Sequence, residues 1–211
     1  MKSIVILGAG GFARELMWLI ESIGNWKILG FIRSESQGEI TELHGYRNYP
    51  TIGFFTKDYP NYADIYFCLG AGSPKVKESM DYEARAYGLV PCPALVHPDV
   101  KLHPSIQLSE NVVLCEGASL TVDITIGYGT MLNLHCTVGH DTKIGDFCTF
   151  SPGVHLSGNV VVENNVECGT NSSVLPYCTL GVGCVLGAGA VAVKSIPAGV
   201  VAVGIPAKQK G

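Results

Sequence analysis

The sequence predicts a two-part molecule, a small Rossmann-like α/β unit followed by a parallel β-helix built from hexapeptide repeats. Two observations predict it. The chain repeats every six residues from Val96 onward without an insertion, and its first ninety residues open with a strand, a glycine-rich turn and a helix.

The repeat reads VHPDVK, LHPSIQ, LSENVV, LCEGAS, LTVDIT, IGYGTM, LNLHCT, VGHDTK, IGDFCT, FSPGVH, LSGNVV, VENNVE, CGTNSS, VLPYCT, LGVGCV, LGAGAV and AVKSIP. The first position is apolar in all 17 blocks, Phe150, Cys168 and Ala192 included. Random draws at this composition would achieve that with a probability of about 10⁻⁶. The fifth position is small or β-branched, as in Val100, Ala118, Thr130, Ser172 and Ala190, and the second is often glycine, as at Gly127, Gly139 and Gly145. Inward residues two apart followed by a turn describe short strands joined by tight corners. Three blocks then form one coil of 18 residues. Spacing does not fix the hand of the coil, and the general crossover rule favours the right hand. Cys136, Cys148, Cys178 and Cys184 fall at fifth positions and Cys168 at a first, so they read as small interior hydrophobes.

In the amino-terminal part, residues 3 to 7 (SIVIL) read as a buried strand and GAGGFARELMWLIES as a glycine turn opening an amphipathic helix, with apolar positions Phe12, Leu16, Leu19 and Ile20. That order can hold a phosphate on the backbone N–H groups of the helix start, or serve only as a tight turn. WKILGFI and DIYFCLGAG read as further strands, the latter leading into a helix near residues 74 to 87. The domain reading is 1–90 for this nucleotide-type unit, 91–197 for the β-helix and 198–211 for a carboxy-terminal segment; LVPCPAL (89–95) is the expected linker. An NAD-type site would want an acid at the end of the second strand, where this chain carries Arg33 and Ser34 before Glu35.

Composition narrows the function. The net charge of −4 comes without a basic run, which argues against nucleic acid as a partner. Lys2 ahead of a short apolar run imitates a secretion signal, but Arg14 and Glu15 end the run, and no stretch approaches the length of a membrane span. The expected location is cytoplasmic. Eight cysteines show no CxxC zinc spacing.

His140 and Asp141 are the third and fourth residues of VGHDTK and should project from a corner, as ordinary solvated residues also do. One coil above His140 the numbering places Gly158, where no side chain would obstruct a ligand. One coil below Asp141 it places Asp123, roughly 5 Å away, a pair able to raise one carboxylate pKa or recruit a cation. A carboxylate beside an imidazole makes it a stronger base.

The GAGG turn, the hexapeptide run, VGHDTKIGD within it and LGAGAVAVKSIPAGVVAVGIPAK at its end together resemble the bacterial nucleotide-aminosugar acetyltransferases of the left-handed β-helix superfamily, the NeuD/PglD-like group. The resemblance extends over essentially the whole chain and implies a left-handed coil. It further implies an acetyl-CoA-dependent N-acetyltransferase of surface glycan (lipopolysaccharide or capsule) biosynthesis, active as a homotrimer without a metal. His140 would be the general base, Asp141 the acid that increases its basicity, and the N–H of Gly158 the oxyanion donor. Acetyl-CoA would contact Thr149, Thr170, Ala188 and Lys208. The sugar nucleotide, UDP- or dTDP-linked, would meet Gly10, Gly11, Phe12, Arg33 and Ser34, with Asn133 near the base. Three departures stand out: Phe12 and Thr149 replace frequent histidines, and Arg33 with Ser34 replaces one or two aspartates.

Other readings compete. O-acetylation of sialic acid would use the same base. A γ-class carbonic anhydrase could use His135 and His140 as zinc ligands, but the positions expected for a third hold Asp99 and Pro104. A non-enzymatic assembly module would need the repeat alone.

Overall fold

Strand pairs in the second half of the chain are 18 residues apart, as in Thr125↔Lys143, Lys143↔Val161 and Val161↔Thr179, until the last coil, where Val185 pairs with Val201. The computed structural model that shows this describes residues 1–33 and 38–210. Its contacts divide the chain into two units, Met1–Leu95 and Val96–Gly211.

In the first unit β1 (Lys2–Leu7), α1 (Gly11–Ile23) and β2 (Trp26–Ile32) follow the predicted order. Then come β3 (Thr41–Leu43), β4 (Tyr46–Tyr49), α2 (Ile52–Asp58), β5 (Tyr66–Leu69), α3 (Pro74–Ala86) and β6 (Val90–Pro91). The sheet order is β3-β4-β2-β1-β5-β6, parallel except for the β3–β4 hairpin. The chain runs from β1 first to one side and later to the other, so the carboxyl ends of β1 and β5 form the switch point where such sheets bind ligands. Ala13, Leu16, Leu19 and Ile20 form the buried stripe of α1, while Phe12 is half-exposed. Ala13 replaces Phe12 in the expected stripe because Gly70 packs against it: a Cβ on Gly70 would lie 2.8 Å from the Ala13 Cβ. The hairpin turns on His44 and Gly45, both at positive φ, the conformation that a two-residue turn demands. Residues 89 to 95, expected as a linker, instead contribute the edge strand β6 and the buried Leu89, Cys92 and Leu95.

The second unit is a three-faced left-handed β-helix with sheets of five, five and eight strands, the eight-stranded one ending in the carboxy-terminal strands Val201–Val203 and Lys208–Gln209. First positions are buried from Leu114 to Ala192, and fifth positions are buried throughout except Ile106. Leu102, a first position, is 40% exposed because no complete coil lies below it. Polar fifth positions compensate locally. The Thr130 hydroxyl donates to the Gly145 carbonyl and accepts from the Cys148 N–H, each at 2.9 Å, and the Thr142 hydroxyl donates to the Ser157 carbonyl. All eight cysteines are buried, and none forms a disulfide.

Each corner turns at the fourth position of its block. All 14 fourth positions from Asn111 to Gly189 have φ between 54° and 73°. Asparagine, aspartate and glycine enter this left-handed region most readily, and they fill 11 of the 14. The exceptions are His135, Phe147 and Tyr177.

Candidate active site

The corner at Gly139–Asp141 follows the strand Thr137–Val138 and is fixed by the Asn159 N–H donating to the His140 carbonyl at 2.8 Å. Asp141, held at φ 58°, turns its carboxylate back so that Oδ2 lies 2.7 Å from His140 Nδ1. An ionised carboxylate can only accept, so Nδ1 carries a proton, and in the neutral imidazole Nε2 is the nitrogen with the free lone pair. Both side chains are more than half exposed, at 57% and 55%. An ion pair so open contributes about 0–1 kcal/mol to stability. Its consequence is chemical: it fixes which nitrogen of His140 is the base.

That nitrogen lies against Gly158. A Cβ at position 158 would sit 2.6 Å from His140 Nε2, so only glycine leaves the base where it is. Gly158 has no positive φ, and its glycine is required by the imidazole rather than by the turn. Its N–H has no acceptor among the described residues. On the corner of Tyr128 and Asp146 such outward third-position amides are capped from the coil above. The Tyr128 N–H donates to Asp146 Oδ1 at 2.7 Å, and the Asp146 N–H to Asn164 Oδ1 at 2.9 Å. Above Gly158 the equivalent residue is Pro176, whose side chain offers no acceptor. A free base and a free amide donor therefore meet at one corner, the arrangement that proton abstraction and oxyanion stabilisation require.

The structure distributes the other expected residues as follows. Thr170 and Ala188 are exposed third positions of successive coils on another corner, where a Cβ on Gly169 would come within 2.6 Å of the Ala188 N–H nitrogen. Thr149, a CoA contact by the resemblance, is buried at 3% exposure on a packed sheet face, between Met131 and Glu167 in register. Lys208 is exposed in the carboxy-terminal hairpin and lines a cavity of about 330 Å³ with Lys194, Pro197 and Pro206. Asn133 stands on the Thr170 corner, not on that of His140, and its Oδ1 accepts from the Leu134 N–H at 2.7 Å. Asp123 is exposed, and its N–H donates to the Ser105 hydroxyl. His135 lies over Gly117 on a different corner from His140, and among the described residues no three His, Cys, Asp or Glu side chains gather as metal ligands.

In the first unit the glycines separate into two kinds. Gly8 has φ 105°, and a Cβ there would lie 2.7 Å from the Gly70 carbonyl oxygen, so its glycine serves the fold. A Cβ on Gly10 or Gly11 would meet nothing within 4 Å. Gly10 is the N-cap of α1 without a side-chain capping bond, which leaves first-turn N–H groups facing open space. Arg33 follows β2, and its guanidinium donates to the Glu39 carbonyl at 2.7 Å; Ser34 lies outside the described residues. The loop after β5 was missed by the sequence reading. Leu69–Gly72 repeats the Leu-Gly-Ala-Gly of residues 7–10, and a Cβ on Gly72 would also meet open space. That echo was the available signal. The unit's cavity of about 820 Å³ opens instead among Lys2, Lys27, Tyr59 and Tyr66, around the amino ends of the strands, where parallel sheets do not place their ligands.

Comparisons with known proteins agree with this geometry. Residues 3–81 match the PglD N-terminal domain. The acetyltransferase domain of PglB from Neisseria gonorrhoeae, in complex with acetyl coenzyme A, is 27% identical with a TM-score of 0.88, covering 99% of each chain. PerB from Caulobacter crescentus, in complex with CoA and GDP-perosamine, is 25% identical with a TM-score of 0.88, covering 100% of this chain and 98% of that one. A protein of Schizosaccharomyces pombe that bears the name acetyltransferase is 41% identical over 85 residues, and this chain covers 41% of its length. Fold and corner thus define the class as a hexapeptide-repeat acyltransferase architecture behind an α/β unit. Within that architecture the amino-terminal unit is similar to the PglD N-terminal domain, and the whole chain is similar in fold to the PglB acetyltransferase domain and PerB.

Proposed function

We propose that the chain transfers acetyl from acetyl-CoA to the amino group of a nucleotide-linked aminosugar. The observation that carries this reading is the juxtaposition of His140 Nε2, the ring nitrogen not engaged by Asp141, with Gly158, whose N–H is open. The acceptor nitrogen attacks the thioester carbonyl, forming a C–N bond, while Nε2 takes its proton. The oxyanion is held by the Gly158 N–H; the C–S bond then breaks and the thiolate receives the proton from His140. Positioned base catalysis contributes about 10² to 10⁴, and alignment of the two substrates contributes more. No acyl-enzyme is required. The cysteines are poor nucleophiles, since burial pushes the Cys136 and Cys184 thiols up to about 11 and Cys168 well above the usual thiol range.

Support for the acceptor comes from the open helix start at Gly10 and Gly11, to which the reading adds Gly72, Phe12, Arg33 and Ser34. For the donor, Thr170, Ala188 and Lys208 remain in the reading as exposed residues and Thr149 does not. PerB binds a GDP-linked sugar, so the nucleotide is not restricted to UDP or dTDP. Asn133, on its separate corner, would reach a base only on another subunit, which fits assembly as a homotrimer. Eight cysteines without a disulfide fit a reducing cytoplasm. Thiol release with UDP-, dTDP- and GDP-linked 4-aminosugars, beside free sialic acid, tests the reading. A response to one of the first three supports it, and a response to sialic acid alone replaces it with O-acetylation.

A further inference from the structure

The three fourth-position residues that are not glycine, asparagine or aspartate raise a question about what each gains. A bulky residue at positive φ is costly, of order 1 kcal/mol. His135 is explained by its ring lying over Gly117, and Phe147 by its edge contact with Tyr128 at 5.4 Å between centroids. Tyr177 has neither. It sits at φ 64°, is 79% exposed, and makes no hydrogen bond or ring contact among the described residues. The fold shows no polar or aromatic partner for this ring among the described residues, and asparagine serves at the same place one coil below, at Asn159.

Its address is informative. Tyr177 is 36 residues beyond Asp141 and 18 beyond Asn159, on the corner that carries His140 and Gly158. Going up that corner, Gly139-His140-Asp141 is followed by Ser157-Gly158-Asn159 and then by Leu175-Pro176-Tyr177, with Leu175 itself 41% exposed. One coil is roughly 5 Å. In the tetrahedral intermediate the nitrogen must be near His140, below Gly158, and the sulfur bears the rest of the donor away from that nitrogen. An arm that leaves towards the coil above Gly158 meets Leu175, Pro176 and Tyr177. This arm alternates short alkyl segments with amides, a chemistry that suits an aromatic face, an aliphatic neighbour and a phenol.

We propose that Tyr177 is a binding residue for the acyl donor, receiving the pantetheine arm of CoA one coil above Gly158. This rests on the acetyl-CoA reading above. Contact with an aromatic face is worth about 0.5–1.5 kcal/mol beyond buried area, and tenfold in affinity corresponds to about 1.4 kcal/mol.

The test is calorimetric titration of CoA, without acceptor, into the full-length wild type and its Tyr177→Asn, Tyr177→Phe and His140→Ala variants, together with thermal melting and light scattering. The expected result is CoA binding about tenfold weaker in Tyr177→Asn, within threefold of wild type in Tyr177→Phe, and a melting midpoint for Tyr177→Asn equal to or above wild type. Unchanged affinity in Tyr177→Asn overturns the proposal while leaving the acetyl-CoA reading intact. A change in subunit number overturns it too, since the ring would then serve an interface. Absence of CoA binding in the wild type removes the donor reading itself and this proposal with it, whereas binding by His140→Ala is expected to match wild type.

Discussion

His140 Nδ1 and Asp141 Oδ2 are 2.7 Å apart on a single corner, an arrangement possible because Asp141 occupies the left-handed region at φ 58°. Asparagine can adopt the same φ and accept the same hydrogen bond without the charge. Asp141→Asn is therefore expected to fold normally and to lose about ten- to a hundredfold in kcat. His140→Ala is expected to lose about 10² to 10⁴. Both should melt within about 1 kcal/mol of wild type, because the exposed pair contributes little to stability. Steady-state kinetics beside thermal melting checks this.

Two glycines of one corner stack should respond in opposite ways. A Cβ at Gly158 meets the exposed side chain of His140, which can turn away, whereas a Cβ at Gly139 would lie 2.5 Å from the Gly158 backbone nitrogen and 2.7 Å from the Ser157 carbonyl carbon. Gly158→Ala should keep its melting midpoint and lose transfer by about 10² or more. Gly139→Ala should be destabilised by a few kcal/mol, on the order of other core overpacking. Equal loss of stability in both would contradict the geometry.

The glycine turn makes a parallel prediction. Gly8→Ala meets the Gly70 carbonyl at 2.7 Å and requires φ 105°, so it should destabilise the first unit. Gly11→Ala meets nothing and gains helix propensity, about 1 kcal/mol at most. It should leave melting unchanged or raised while raising KM for the sugar nucleotide. A KM unchanged in Gly11→Ala would return the turn to a purely structural role.

Thiol burial sets an alkaline limit. Cys136 and Cys184 titrate near 11 in the folded chain against an ordinary thiol value of 9.0, and burial of Tyr49 raises its phenol from 10.0 to about 12. A raised folded-state pKa stabilises fully below the unfolded value and is lost as pH climbs to the folded one. Melting midpoints should therefore fall between about pH 9 and 12. A disulfide-exchange reagent should modify few of the eight cysteines before unfolding and all of them after it.

The β-helix was legible because its period is set by covalent geometry: an 18-residue coil repeats a burial pattern that any reader of six-residue blocks can count. The same period placed Gly158 over His140 correctly. The left-handed fourth position was equally visible in Asn111, Asn159, Asn165 and Asn171, yet only the backbone angles show that it governs the corner and singles out Tyr177. Burial of Thr149 was not legible, because an outward strand position says nothing of what covers the face. Strands β3 and β6 escaped as well. TEL is too short to show alternation, and the prolines around Val90 imitate a linker where one of them sits on a sheet edge that needs no further donor.

The most direct test of the central claim is acetyl transfer from acetyl-CoA to a responsive nucleotide-linked 4-aminosugar, followed by mass and NMR analysis of the product for wild type and His140→Ala. The account predicts an amide on the sugar nitrogen from wild type and a rate at least a hundredfold lower from His140→Ala. Equal rates for the two proteins, or an acetyl group found on a hydroxyl instead, would contradict it.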